Sequence, residues 1–218
     1  MTDKTIDSTG GDHSRLSAAQ QRKRTTIVAA ALDVFDRDGF EAARMIDIAD
    51  AAGVAKGTLY LYFETKEDLL EGLIEAVVMP VVRKLEGTRE LDTLTPPERL
   101  HRQLRIVSEQ LSKGEMLKVL KLMIANGPQR RRLRTFYFEN VVRPNMMAMA
   151  HTLSDGVESG HFRKGIEGTD TALLAAPFVM GAVWKMLFQD IDPIDDEALL
   201  QSVTRAADAL LLSRTPAV

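Results

Sequence analysis

The chain has 218 residues, 45% of them hydrophobic, and a formal net charge of −3 at pH 7. That length suffices for one large core or for a small domain followed by a larger one. The absence of cysteine excludes a disulfide framework, thiol catalysis and the Cys-based zinc sites, and it fits a reducing cytosol.

The N-terminus, MTDKTIDSTGGDHSRLS, lacks the apolar core of a secretory signal. No uncharged apolar stretch reaches the ~18 residues of a membrane span. Lys185 interrupts the most apolar segment, Ala172–Phe188. Residues 1–66 hold nine Lys/Arg against ten Asp/Glu, so bulk charge does not point to nucleic acid. The charges are segregated, however. Asp33, Asp36, Asp38 and Glu41 cluster near the end of the first predicted helix, while Arg22, Lys23, Arg24, Arg44, Lys56 and Lys66 lie apart from them.

Residues 1–16 are polar and non-periodic and read as a tail. Ser17 with Gln20 makes a capping-box pattern that starts a helix. Within it Ile27, Ala31, Val34 and Phe35 recur at helical spacing, and Gly39 supplies the stop. A second helix is predicted from about Met45 to Ala52, with Ile48, Ala49 and Ala52 inward. Gly53 follows as a turn needing positive φ, Val54 plugs the corner, and a third helix runs from Lys56 to Phe63 with Leu59 and Phe63 inward.

Small Ala49 allows close helix crossing, so Ile46–Phe63 reads as a helix-turn-helix whose second helix enters the DNA major groove. The first turn of that helix exposes Ala55, Lys56, Gly57 and Thr58. Lys56 can donate to guanine or phosphate, Thr58 can reach a base, and Gly57 lets the backbone approach. Tyr60, Tyr62, Lys66 and Arg44 are placed to contact phosphate. Each of these residues, taken singly, also suits a plain helical bundle; the complete register is what separates the two readings.

That register, Gly39, Ile48-Ala49, Gly53-Val54, Gly57-Thr58-Leu59-Tyr60, Tyr62-Phe63, Lys66 and Leu69, resembles the N-terminal domain of the TetR family of bacterial transcriptional regulators. The resemblance covers about residues 20–70. Two departures stand out: Ala43-Arg44 where the family usually has a Thr cap, and Ala55 where it often has Ser. A lost cap costs about 1 kcal/mol, and the operator of relatives does not carry over. The resemblance implies a C-terminal domain that binds a small molecule between its middle helices and dimerises through its last two.

Thr65 caps a fourth helix that continues through Pro80, a kink position, to about Gly87. Further helices are predicted at Pro96–Ser112, Glu115–Asn126, Leu133–Gly156, Thr169–Gln189 and Asp195–Leu212. Eight of the ten Met lie between residues 79 and 186, with aromatics interleaved; this suits either a helical core or an apolar pocket. If a pocket, the candidate lining is Met123, Phe136, Tyr137, Asn140, Met147, Phe178 and Trp184, with Tyr137 and Asn140 orienting the ligand. The Arg130-Arg131-Arg132 run with Arg134 reads as a solvated loop or helix start, and the Asp190–Glu197 acids as a linker and helix start. The four His form no HExxH, and no Walker loop, GxSxG elbow or dinucleotide fingerprint occurs, so an enzyme is not expected.

The expectation is an all-α fold: tail 1–16, helix-turn-helix domain 17–64, and a larger helical ligand-binding and dimerisation domain 65–218. Its function is that of a cytoplasmic homodimeric regulator, a repressor released from a near-palindromic operator by a small apolar effector, with no cofactor, metal or membrane contact. The alternative is an architectural or cell-cycle protein whose C-terminal part binds a protein partner.

Overall fold

The computed structural model describes residues 17–90, 93–166 and 171–212; the predicted tail 1–16 lies outside them. Ten α-helices occur among the described residues, and extended pairing there is confined to one antiparallel bridge between Phe162 and Leu212. The fold is all-α, as the sequence patterning implies.

Helix α1 (Ala18–Asp38) starts at a capping box in which Ser17 and Gln20 satisfy each other's backbone N–H. Its buried face is Ile27, Val28, Ala31, Leu32, Val34 and Phe35. Gly39 ends it at φ 78°. Helix α2 (Met45–Ala51) and α3 (Lys56–Tyr62) are joined through Gly53 at φ 64°, a conformation that strains any Cβ-bearing residue. Ile48, Ala49 and Leu59 point inward and are fully buried.

Helix α4 (Lys66–Glu86) is the spine. Thr65 and Asp68 form a second capping box, and the helix runs unbroken with Pro80 on its exposed side. Leu69, Leu70, Leu73 and Ile74 pack with the three-helix head. Farther along, Val78, Val81, Val82 and Leu85 continue the same apolar core into the second half of the chain. One buried cluster thus joins the head to α6 and α7.

A 3-10 turn (Gly87–Glu90) follows, then α5 (Pro96–Leu111), started by two prolines and by the Glu98 carboxylate accepting from the N–H and hydroxyl of Thr95. Helix α6 (Gly114–Asn126) ends in a second 3-10 turn, Gly127–Gln129. The long helix predicted as Leu133–Gly156 has three parts: α7 (Arg131–Tyr137), a π-helical turn Phe138–Val142, and α8 (Arg143–Glu158). Pro144 accounts for the interruption, since its ring has no N–H for the Asn140 carbonyl one turn back and collides with it. Helices α9 (Ala172–Phe188) and α10 (Asp196–Leu211) close the fold. A second core, including Leu100, Leu104, Met149, Leu153, Phe178, Leu200 and Leu211, holds α5, α8, α9 and α10 together.

Candidate DNA interface and effector cavity

The outer end of α3 is built from residues that the core does not use. Ala55 is its N-cap and offers no side-chain hydrogen bond. Ala55, Lys56 and Gly57 are exposed, Thr58 is half-buried, and open space surrounds the position where a Cβ on Gly57 would stand. The Lys56 ammonium lies 5.9 Å from the Tyr60 ring centroid, stacked one turn away on the same helix. Tyr60 is exposed, while Tyr62 is half-buried against the head core.

Two residues expected to meet phosphate are engaged otherwise. Lys66 donates to three backbone carbonyls, those of Phe40 (2.8 Å), Glu41 (2.9 Å) and Ala43 (2.9 Å), and lies 5.0 Å from the Phe40 ring. An ammonium has three protons, and all are taken. Lys66 closes the loop between α1 and α2. Arg44 is held in a fork with the Asp47 carboxylate, at 2.8 and 2.6 Å. Hydrogen bonding and charge from this partner raise the Arg44 pKa and lower that of Asp47, although both side chains remain on the surface.

The acids around the end of α1 are likewise paired. Asp33 and Asp36 meet Lys118 and Lys121 of α6, Glu41 meets Arg130, and Asp38 meets Arg37. Near-neutral net charge in the head is therefore compatible with an exposed Lys56, because the carboxylates around the end of α1 are matched locally. The basic run is a helix start, one of the two readings the sequence offers: Arg130 is the N-cap residue of α7, its side chain reaching Glu41 and Glu67, and Arg132 contacts Asp68 (2.8 Å) and Glu71 (2.9 Å). Sequence spacing alone does not reveal these partners, which are separated from the arginines by about sixty residues or more.

Beyond the head a cavity of about 440 Å³ opens between α4, α5, α6, the π-interrupted helix and α9. Its wall comprises Val78, Val81 and Leu85 of α4; Val107, Gln110 and Leu111 of α5; Met116 and Leu120 of α6; Tyr137, Val141, Val142, Asn145, Met146 and Met149 around the π turn; and a face of α9 with Thr171 before it, from Ala172 to Val183. Among the described residues no charged side chain lines it. Burial pushes the Tyr137 phenol pKa up, which keeps it a neutral donor. The Thr171 hydroxyl donates to the Met146 carbonyl at 3.1 Å. The Asn145 Oδ1 is buried without a hydrogen-bond partner, in a residue that lines the cavity.

Of the pocket residues expected from sequence, Tyr137 is on this wall. The others lie elsewhere. Met123 and Phe136 pack in or against the core shared with the head, and Phe178 is in the second core. Asn140 turns its Nδ2 back to the Phe136 carbonyl (2.8 Å), Met147 is 54% exposed, and the Trp184 indole donates to the Asp192 carbonyl (2.8 Å) beside Phe188. The π turn shifts the facing of everything around it, so even 3.6-residue counting selects Asn140 where the cavity receives Val141, Val142 and Asn145. Pro144 is the signal in the sequence that marks the shift.

The predicted helix-start role of the Asp190–Glu197 acids agrees with Asp195 accepting from the backbone N–H of Glu197 and Ala198. Among the described residues no cluster of His, Asp and Glu suits a metal ion, and no helix is long and apolar enough to cross a membrane.

Residues 27–73 match the family model of bacterial regulatory proteins, tetR family. The fatty acid metabolism regulator protein of Bacillus subtilis (strain 168) is 25% identical over 164 residues, covering 74% of this chain and 79% of that protein. The HTH-type transcriptional regulator RutR of Escherichia coli (strain K12) is 34% identical over 90 residues, 41% of each chain. The crystal structure of the transcriptional regulator FadR from Bacillus subtilis in complex with stearoyl-CoA superposes with a TM-score of 0.66 at 25% identity, covering 83% of this chain and 95% of that one. Residues 27–73 thus carry the N-terminal helix-turn-helix domain of the TetR family of bacterial transcriptional regulators, and the rest of the chain is similar in fold to regulators of that family.

Proposed function

We propose that the chain is a homodimeric repressor that binds a near-palindromic operator and is released by an uncharged, largely apolar small molecule. The observation that carries this reading is the shared helix α4. Its first turn is tied to the head through Lys66, and its last turns, Val78, Val81 and Leu85, form a wall of the cavity. A ligand that fits one position of α4 better than another shifts the spacing of the heads by its differential affinity, and by nothing else.

The ligand class follows from the wall. Among the described lining residues an ionised group would find no countercharge, at a large desolvation cost, whereas aliphatic and thioether side chains suit flexible apolar chains. The stearoyl-CoA complex of FadR supports an acyl or similar chain, with any charged head remaining outside. Tyr137 and Asn145 are the groups for a single neutral hydrogen bond.

The dimer reading rests on α9 and α10. Leu173, Val179, Met180 and Leu187 stand exposed on α9, and Leu210 on α10. Such an apolar surface suits pairing of these two helices with those of a second copy as a four-helix bundle. Two α3 helices about 34–36 Å apart then read two half-sites on one face of the duplex, in the cytoplasm. Arg44, Ala55, Lys56, Gly57, Thr58, Tyr60 and Tyr62 form the proposed DNA surface, with Lys66 positioning it from behind.

The test is selection of bound sequences from random duplex DNA at fixed, near-physiological salt, with the wild type and a Lys56→Ala/Tyr60→Ala variant. The expected result is a near-palindrome enriched by the wild type and lost in the variant. Failure of the wild type to enrich any sequence overturns the reading. A long-chain alcohol that raises Tm and dissociates the selected duplex supports the effector role; a protein partner that does so in its place favours an architectural role.

A further inference from the structure

Leu61 is the most exposed large apolar side chain among the described residues, at 84%. It stands on α3 three and four positions after Thr58 and Gly57, so the three share one face of the helix. Leu59, two positions away, points into the core and is fully buried. In the head, the large hydrophobic residues left exposed are Tyr60 and Leu61, adjacent on this helix. The other exposed apolar side chains gather mainly on α9 and its flanks, at the surface assigned above to a second copy of the chain.

A single exposed leucine is ordinary on a protein surface. Leu61 differs in its setting: Gly57, with open space about it, lies one turn before it on the same face, and the exposed Lys56 flanks that face beside Tyr60, on a helix whose other side is committed to the fold. That combination matches the major groove, which offers negative acceptors and phosphates together with one apolar feature, the 5-methyl group of thymine. A positive, close-approaching helix face carrying an isobutyl group therefore has a complementary occupant in A·T-containing DNA.

We propose that Leu61 packs against a thymine methyl group in each half-site and is a specificity-determining residue of the interface. Its isobutyl group discriminates thymine from cytosine at that position without a hydrogen bond, while Lys56 supplies charge and Tyr60 reaches the backbone. This inference rests on the DNA-binding reading of α3.

The experiment starts from the operator selected as above. Each thymine of the half-site is replaced in turn by uracil, which removes the methyl group and keeps the pairing. Binding is measured by fluorescence anisotropy at one salt concentration for the wild type, Leu61→Ala and Leu61→Met. Loss of one buried methyl contact corresponds to about fourfold in affinity per half-site. The expected result is one or two positions where uracil weakens the wild type and Leu61→Met by about that factor while leaving Leu61→Ala unchanged. Identical uracil-to-thymine ratios for wild type and Leu61→Ala at every position overturn the proposal. If the wild type selects no operator, the DNA-binding reading fails and the proposal with it, a result distinct from an operator that is bound without a Leu61-dependent methyl effect. Because position 61 is exposed and helical, Leu61→Ala leaves the fold intact, which circular dichroism checks.

Discussion

The Arg132 guanidinium lies 2.8 Å from the Asp68 carboxylate, joining the first turn of α7 to the first turn of α4. The same guanidinium reaches Glu71 at 2.9 Å. One turn after Arg132, the chain enters the segment that brings Tyr137 and Val141 to the cavity wall. The pair therefore connects the cavity to the helix on which the DNA-reading head is mounted.

Exposed ion pairs contribute about 0–1 kcal/mol each to stability, and the Arg132 side chain is largely solvent-accessible. Its role is thus better sought in coupling than in folding. Arg132→Ala is expected to leave apo operator affinity within about twofold while raising the effector concentration for half-release by roughly threefold or more, within the usual range of coupling energies. An operator-release titration with wild type and variant measures both; equal release curves exclude the coupling role.

Asp68 makes that junction sensitive to acid. Burial opposes its ionisation, but hydrogen bonds from Thr65 and Arg132 outweigh burial, and its pKa lies below the usual carboxylate value. A depressed folded-state pKa contributes stability that is present above the unfolded value of about 3.9 and is lost as pH falls through the folded one. Melting curves of wild type and Asp68→Asn are expected to differ at neutral pH and to converge below about pH 4. A gap that persists undiminished into acid would show that it arises from the cap geometry alone.

Lys56 and Lys66, two cations on or beside the recognition helix, are expected to behave oppositely. Lys66→Met leaves the Phe40, Glu41 and Ala43 carbonyls without their shared donor. Such a loss destabilises by about 1–3 kcal/mol, seen as a lower denaturation midpoint, with DNA affinity falling as a consequence. Lys56→Ala changes an exposed side chain, so stability stays within about 0.5 kcal/mol. If Lys56 meets a phosphate, each half-site loses about one unit of salt slope in binding. Paired denaturation and salt-dependence measurements separate the two residues.

Much of this architecture was legible in the chain because it is written in local signals. Ser17-Gln20 and Thr65-Asp68 are caps readable at a spacing of three, and Gly39 and Gly53 mark backbone that needs positive φ. The apolar positions of α1 to α4 recur at 3.6 residues and face one core. Lys66 was not readable in the same way. A lysine next to a recognition helix looks like a phosphate ligand, and its three carbonyl acceptors come from a loop more than twenty residues earlier. The cavity lining was harder still, since it depends on the register of one helix past a π turn and on where five helices fail to fill space. Leu61 carries no outward signal in the sequence for a simpler reason: a leucine inside a helix ordinarily belongs to the core, and only the folded chain shows it exposed.

The π turn itself gives the last prediction. Pro144 cannot donate to the Asn140 carbonyl, and the helix accommodates it over Phe138–Val142. An alanine at 144 restores the N–H and allows a regular α-helix through this segment. Removing one extra residue from a turn rotates what precedes it by about 100° relative to α8. That rotation would carry Tyr137 off the cavity wall and Arg132 away from Asp68 and Glu71. Pro144→Ala is therefore expected to weaken effector binding by about tenfold, as for loss of one or two good contacts, and to blunt effector-induced release, while the α3 surface still binds operator. Isothermal titration with the effector and an operator assay on the same preparation test this. Unchanged effector affinity in the variant would mean that the π turn persists without the proline and is set instead by packing of Val141 against α4.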